Sequence, residues 1–300
     1  MNNTIYLVDA YAHIYRAYHA IKGLTTSDGT PSNAIYAMGR FLITLEKELS
    51  PDIGAFIFDL GAPVKRLEVL PDYKANRPPM ADEMKGQLEA IREMIQASGW
   101  PLLEKEGNEA DDIIAALAKK FTDNPVKIIS NDKDIAQVID ERIQMLITQP
   151  GSKGFILRDI QNVVDKFDVK PEQIIDYLAI IGDSSDNIPG VPGVGPKTAA
   201  KLIHQFGSIE EIISRIGEIA KESLKEKMIN SKGILEKNRG LITLDTSIEL
   251  EECKTVDNLK LRVPDIDKLL SIADKYELKS LAKEFAQIYE KRLNPSLFDF

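Results

Sequence analysis

Three apolar runs in this chain each end on an acid. They are Thr4-Ile-Tyr-Leu-Val-Asp9, Ala55-Phe-Ile-Phe-Asp59 and Val126-Lys-Ile-Ile-Ser-Asn-Asp132. Unbroken apolar runs of this kind read as strands buried on both faces, as in a parallel sheet. Ligands of such sheets bind beyond the carboxyl ends of the strands. Three strands that each place an Asp there crowd negative charge on one edge, which is costly unless cations are bound. The pattern implies a divalent-metal site, and acid-only metal sites most often act on phosphate esters.

Residues 1–165 alternate the two periods. Strands are predicted at 4–9, 53–59, 100–104, 126–130 and 142–147, with helices at 12–22, 33–48, 82–98, 109–121 and 133–139. This alternation predicts an α/β fold, a parallel sheet with helices on both faces. Residues 60–81 fit neither period and hold four prolines and four bases, a long connection of the kind that carries function. From about 171 the chain reads as all helix, with segments near 171–181, 197–206, 208–215, 217–229, 231–241, 264–274 and 278–291. The division expected is 1–168, 169–291 and a tail at 292–300.

One cysteine, Cys253, excludes an intramolecular disulfide and a cysteine-based zinc site. No apolar stretch reaches the roughly 18 residues that span a bilayer, so no membrane role is expected and the chain reads as cytoplasmic. The net charge of -9 counts against a nucleic-acid binder only if the charges are evenly spread.

Two further acidic groups join the strand ends. Asn108-Glu109-Ala-Asp111-Asp112 fits an N-cap followed by three acids, with Glu109 and Asp112 on one helix face. Taken alone, this and the pair Asp132 and Asp134 need no metal, because acids complement a helix N-terminus. The pair Asp183 and Asp186 lies in a turn in the helical half. Recurrence of carboxylates at every sheet crest favours the metal reading, and oxygen ligands without His or Cys select Mg²⁺ or Mn²⁺. His13, His19 and His204 lie in apolar helical contexts and read as packing residues.

The segment Ile188-Pro-Gly-Val-Pro-Gly-Val-Gly-Pro-Lys-Thr-Ala-Ala200 is a second signal. Gly193-Val194-Gly195 can turn tightly and offer backbone amides to a DNA phosphate at a helix N-terminus, with Lys197 and Lys201 alongside. Gly195 is expected to need a positive φ or a close phosphate. Leu70-Pro-Asp-Tyr73-Lys74-Ala-Asn-Arg77 combines an aromatic with two bases and could stack and hold a strand.

The chain resembles the bacterial-type 5′→3′ exonuclease and flap endonuclease family, found as the N-terminal domain of family A DNA polymerases and as a stand-alone enzyme. The resemblance rests on Leu7-Val-Asp9, Phe58-Asp59, Tyr73 to Arg77, Glu109 to Asp112, Asp132-Lys-Asp134, and the run from Gly182 through Gly190 to Ala199. It implies a Rossmann-like, PIN-like nuclease sheet with a helical arch, plus a helix-hairpin-helix module that grips duplex DNA, often around a potassium ion. One metal would lie among Asp9, Asp59, Glu109, Asp111, Asp112, Asp132 and Asp134, and a second toward Asp183 and Asp186. Lys74 and Arg77 match arch-base residues that contact the scissile phosphate, and Arg66 falls at a usual arginine. Gly190, Gly193, Val194, Gly195, Lys197, Thr198, Lys201 and Tyr73 would face DNA. The substrates implied are DNA with 5′ flaps, nicks or RNA primers, cut by a monomer acting on the bacterial nucleoid. Ala10, Tyr11, Lys65 and Asn131 depart from the family pattern around the site.

Two rivals share parts of this pattern. A PIN-type ribonuclease has the acidic crest but no reason for the glycine hairpin. A non-catalytic DNA-structure-binding protein would not keep the full acid set. The tail Ser296-Leu-Phe-Asp-Phe300 reads either as a frayed end or as a peptide for the bacterial sliding clamp, although the glutamine usual in such peptides is absent.

Overall fold

The structure, a computed structural model, describes residues 3–149 and 154–293. The first half runs β1 (Ile5–Asp9), α1 (Ala10–Ala20), α2 (Asn33–Leu49), β2 (Ile53–Leu60), α3 (Val64–Val69) and α4 (Asp82–Ala97). It continues with β3 (Leu102–Glu106), α5 (Ala110–Lys120), β4 (Val126–Ile129), β5 (Ile143–Thr148), β6 (Phe155–Arg158) and α6 (Ile160–Phe167). Then come α7 (Ile174–Ile181), the strands β7 (Gly182–Asp183) and β8 (Ile188–Pro189), and α8 (Pro196–Phe206). The chain ends with α9 (Ile209–Ser214), α10 (Glu222–Asn230), α11 (Lys232–Ile242), α12 (Ile266–Lys275) and α13 (Lys279–Leu293). The helix expected at 133–139 is a 3-10 turn, Asp134–Val138.

The sheet order is β3-β2-β1-β4-β5-β6. The first five strands are parallel, as expected, and β6 closes the edge antiparallel to β5. Strand order reverses at β1, so a crevice opens beyond the carboxyl ends of β1 and β4. Every residue of β1 is buried. Ile5 and Leu7 join the core on one sheet face with Ala55, Ile57 and Ile128, while Tyr6 and Val8 join the other with Phe56 and Phe58.

The two faces are covered differently. One carries α5 together with α7, α8, α9 and α11 of the helical half, in one continuous core. The other carries α1, α2 and α4, and the last two helices return to it. Leu281 of α13 sits over Gly39 of α2, where any Cβ would collide with it. Arg292 ties the end of α13 to Glu46 and to the Pro51 carbonyl at 2.9 Å. The tail motif at 296–300 lies outside the described residues.

Candidate active site

Four acids converge from four elements on one cavity of 420 Å³. Asp9 ends β1, Asp59 lies near the end of β2, Asp111 opens α5 and Asp132 follows β4. Local roles hold two of them. Asp9 caps α1, accepting from the Ala12 amide at 3.1 Å, and also accepts from Ser130 Oγ at 3.0 Å. Asp59 accepts the Ala110 amide at 2.8 Å and so caps α5 from another strand. The N-cap expected at Asn108 is instead Glu109, which makes no side-chain cap.

Burial and mutual repulsion raise the carboxyl pKa values of this group. Asp9 is pushed up to about 7 by burial, Asp59 and Asp132. Burial, then Asp132, Asp9 and Asp59, push Asp111 well above the usual carboxylate range. Burial is also the main cause for the raised Asp59 and Asp132. Asp111 Oδ1 is buried with no hydrogen-bond partner among the described residues.

A second group forms beside the first. Asp134, Asp183 and Asp186 bring carboxylate oxygens within 4.8 Å of one another. Asp134 had been expected with the first group. Its Oδ1 is also buried without a partner among the described residues, and burial with Asp132, Asp183 and Asp186 raises its carboxyl well above the usual range. Burial opposes the charge of Asp183, but hydrogen bonds from Ser185 and Lys133 outweigh it and set its carboxyl below the usual range. The β7–β8 hairpin presents both Asp183 and Asp186, and it depends on Gly182, at φ 74°. A Cβ on Gly182 or Gly190 would run into the other's backbone. Two all-oxygen groups, each with one buried oxygen that lacks a partner among the described residues, fit divalent cations.

Cations already lie against this edge. Lys74 pairs with Glu109 and lies 3.8 Å from Asp186, while Arg77 reaches Asp186 at 2.5 Å. Lys74 holds a left-handed φ of 57°, and its amide donates to the Asp186 carbonyl at 3.0 Å. Asn76 and Arg77 bind the carbonyls of Ser184 and Ser185, so the base-rich segment is laced to the β7–β8 hairpin. Lys74 and Arg77 line the same cavity as Asp9 and Asp111.

Several expected site residues are placed elsewhere. Both oxygens of Asp112 are taken by Arg66, and the Asp245 amide also donates to Oδ1 at 2.8 Å, so Asp112 turns away from the acid groups. Arg66 is largely taken up by that pairing and by its contact with Glu109 at 2.6 Å, and does not line the cavity. Glu109 stands between, shared by Arg66, Lys74 and the Tyr73 hydroxyl. Tyr73 is buried, with its hydroxyl 2.8 Å from Asp186, so it offers no face to a base.

The glycine hairpin also departs in detail. Val194 is a core residue, so its side chain does not face solvent as a DNA contact, and Gly190 is half-buried against Ile181. Gly195 has an ordinary φ of -100° and open space around it. The positive φ belongs to Gly193, at 69°, and a Cβ there would meet Lys227 Nζ at 2.6 Å. Gly193, Gly195, Lys197 and Lys201 are exposed and Thr198 is half-exposed.

The cavity also has aromatic and basic neighbours. Tyr11 and Tyr15 line the acid cavity, and Tyr15 is 38% exposed. Lys133 lies 3.0 Å from Asp183. The Asp-Lys-Asp run was the available signal for Lys133, whereas nothing local marked Lys227. A larger cavity of 730 Å³ lies on another face of α1 and is lined by no acid among the described residues. His13, buried and stacked on Phe41 at 4.3 Å, sits there, with its pKa lowered by burial to about 4.

The comparisons agree with this geometry. The sequence profile for the 5'-3' exonuclease N-terminal resolvase-like domain matches residues 4–168, and that for the 5'-3' exonuclease C-terminal SAM fold matches 169–267. The chain belongs to the 5'-3' exonuclease family. A 5'-3' exonuclease of Aquifex aeolicus is 38% identical over 297 residues, covering 98% of this chain and 99% of that protein. DNA polymerase I of Pseudomonas aeruginosa is also 38% identical, over 287 residues, and there the chain spans 30% of the relative's length. A flap endonuclease of bacteriophage T5, solved with DNA and metal ions, superposes with a TM-score of 0.68 at 22% identity, covering 96% of this chain and 99% of that one. The catalytic core of Rad2, solved with a DNA substrate, gives 0.65 at 18%, covering 96% and 92%. This member is a nuclease of that family, and the chemistry of its two acid groups fits divalent metal.

Proposed function

We propose that the chain cuts DNA at 5′ flaps and nicks, and removes RNA primers, as a 5′→3′ exonuclease and structure-specific flap endonuclease in replication and repair. The supporting observation is one cavity that holds Asp9, Asp59, Asp111 and Asp132 together with Lys74 and Arg77. Acids alone would repel a phosphodiester, and cations alone would bind it without cutting. Asp9, Asp59, Asp111 and Asp132 would hold one Mg²⁺ or Mn²⁺, and Asp134, Asp183 and Asp186 a second. Bound metal would supply an activated water and stabilise the leaving oxygen. Lys74 and Arg77 would then offset charge on the phosphate as it reacts, while Tyr11 and Tyr15 give nearby bases a stacking surface.

In this reading residues 1–168 are catalytic, and 169–291 grip the duplex through Gly193, Gly195, Lys197, Thr198 and Lys201, with potassium at the hairpin. The tail would dock the sliding clamp, and the enzyme would act as a cytoplasmic monomer at the nucleoid. No helix among the described residues is long and apolar enough to cross a membrane. The test uses a 5′-flap DNA and a matched single-stranded RNA, each with Mg²⁺ and with chelator. Metal-dependent cutting near the flap base is expected. Cutting of the RNA alone would point to a ribonuclease, and no cutting at all to a binding protein.

A further inference from the structure

The β7–β8 hairpin that carries Asp183 and Asp186 pairs only Gly182 with Pro189 and Asp183 with Ile188. A ladder of two residue pairs is too short to hold its own shape. The side chain of Asn238, on α11, supports it from the core. Asn238 is fully buried, and its Nδ2 donates to the Ala179 carbonyl at 2.9 Å and to the Pro189 carbonyl at 2.7 Å. The first acceptor lies in the last turn of α7, just before the hairpin, and the second ends β8. One amide group therefore ties together the chain entering the hairpin and the chain leaving it.

A helix leaves its last carbonyls without intrahelical partners. At the end of α7 they are answered individually. The Leu178 carbonyl takes the Gly182 amide, the Ile180 carbonyl takes the Val191 amide at 2.8 Å, and the Ala179 carbonyl takes Asn238. Both groups that face Asn238 are acceptors, which fixes its NH₂ end toward them. Its Oδ1 is left buried with no hydrogen-bond partner among the described residues. An unpaired buried oxygen is unfavourable, so the two bonds at the other end carry the reason for an amide here. The next residue, Arg239, pairs with Asp176 of α7 at 2.8 Å, so Asn238 acts from a helix already fixed against α7.

We propose that Asn238 is a positioning residue for the second acid group. It bonds to the backbone on either side of the acids rather than to the acids. By holding both ends of the hairpin it sets where Asp183 and Asp186 stand relative to Asp134, whose carboxylate oxygen lies within 4.8 Å of theirs. The proposal rests on the reading of that group as a divalent-cation site. Such a cation needs its oxygen ligands at set separations. Residues that orient ligands typically change metal affinity about 10–100-fold when lost. The base-rich segment is no substitute, because Lys74 and Arg77 hold the hairpin from the cavity side, where a substrate phosphate would compete for them.

The test titrates Mn²⁺ alone, by calorimetry without DNA, into wild type, Asn238→Ala, Asp183→Asn and Ile212→Ala. Asp183→Asn identifies the site of the second acid group. Ile212, fully buried on α9, controls for loss of core packing. Asn238→Ala should weaken the Asp183-dependent site about tenfold and leave the other site unchanged. In single-turnover cleavage of a flap DNA its half-saturating Mg²⁺ should rise by a similar factor, with the rate restored in excess Mg²⁺. Ile212→Ala should lower the melting temperature and leave both Mn²⁺ affinities alone. If Asn238→Ala does not fold, Asn238→Ser, whose hydroxyl can donate to one carbonyl only, is read by the same criterion. Mn²⁺ affinity unchanged in the Asn238 variant, or weakened no more than in Ile212→Ala, overturns the proposal. Failure of the metal reading would appear separately, as wild-type protein whose Mn²⁺ binding does not depend on Asp183.

Discussion

Arg66 grips both carboxylate oxygens of Asp112, with Nη2 2.9 Å from Oδ1. The pair joins the base-rich segment after β2 to the start of α5, and Arg66 Nε extends the link to the Leu241 carbonyl at 2.9 Å. Both side chains are nearly buried. Removing one partner leaves a buried charge unpaired, which typically costs about 3–5 kcal/mol. Arg66→Ala should therefore lower the melting temperature clearly in the absence of DNA. A thermal melt of the purified variant checks it, and an unchanged midpoint would show that the pairing contributes nothing to stability.

Asp111, Asp132 and Asp183 have a different role. Asp111→Asn, Asp132→Asn and Asp183→Asn should each cut cleavage by at least about 10²-fold, the scale of losing one electrostatic contact in the transition state. DNA affinity should hold or improve, because each acid repels the backbone. Single-turnover rates and anisotropy on a flap substrate measure the two effects, and near-wild-type rates in all three would sink the metal assignment.

The strand ends that carry Asp9, Asp59 and Asp132 were legible because a buried parallel strand announces itself by an unbroken apolar run, and the acid follows directly in sequence. The glycine hairpin was legible for a similar local reason. What was not legible depends on distant partners. The helix α3 buries none of its residues and is held through Lys65 to Asp245 and Arg66 to Leu241. Strand β6 leaves Ile156 and Leu157 exposed, so its sequence lacks the alternation of a half-buried strand. Asp112 was expected as a metal ligand from the family resemblance, and its spacing showed only that it shares a helix face with Glu109. That shared face is Arg66's, and only the fold could show it.

Lys74 and Arg77 already neutralise Glu109 and Asp186 across the cavity. A substrate phosphate would compete for the same donors. Lys74→Ala and Arg77→Ala should lower the single-turnover rate more than they raise Kd. A change in salt dependence alone would make them ordinary phosphate contacts.

Gly193 and Gly195 should differ sharply when mutated. Gly193→Ala strains a φ of 69° and pushes on Lys227, whereas Gly195→Ala enters open space. Duplex affinity should fall several-fold for the first and hardly move for the second, with the sheet still folded. Anisotropy on a plain duplex checks it, and equal affinities would take the Gly193 turn out of the DNA surface.

The raised carboxyl groups link stability to pH and metal. The carboxyl of Asp9 moves from 3.8 to about 7, and Asp59, Asp111, Asp132 and Asp134 shift the same way. Between those values the folded chain holds protons that the unfolded chain has released, so metal-free stability falls as pH rises through the window. Asp183 is shifted the other way, below 3.8, so it is ionised in both states across this window and leaves the slope there unchanged. Metal binds the folded, deprotonated site and adds stability by mass action. In chelator the melting temperature should fall from near pH 5 to near pH 8. Mg²⁺ should raise it much more at the higher pH, where it no longer competes with protons. Asp9→Asn should shrink both effects. A metal-free melting temperature that rises over this range, or an Mg²⁺ increment that is the same at both ends of it, would mean that these acids neither repel one another nor share a cation.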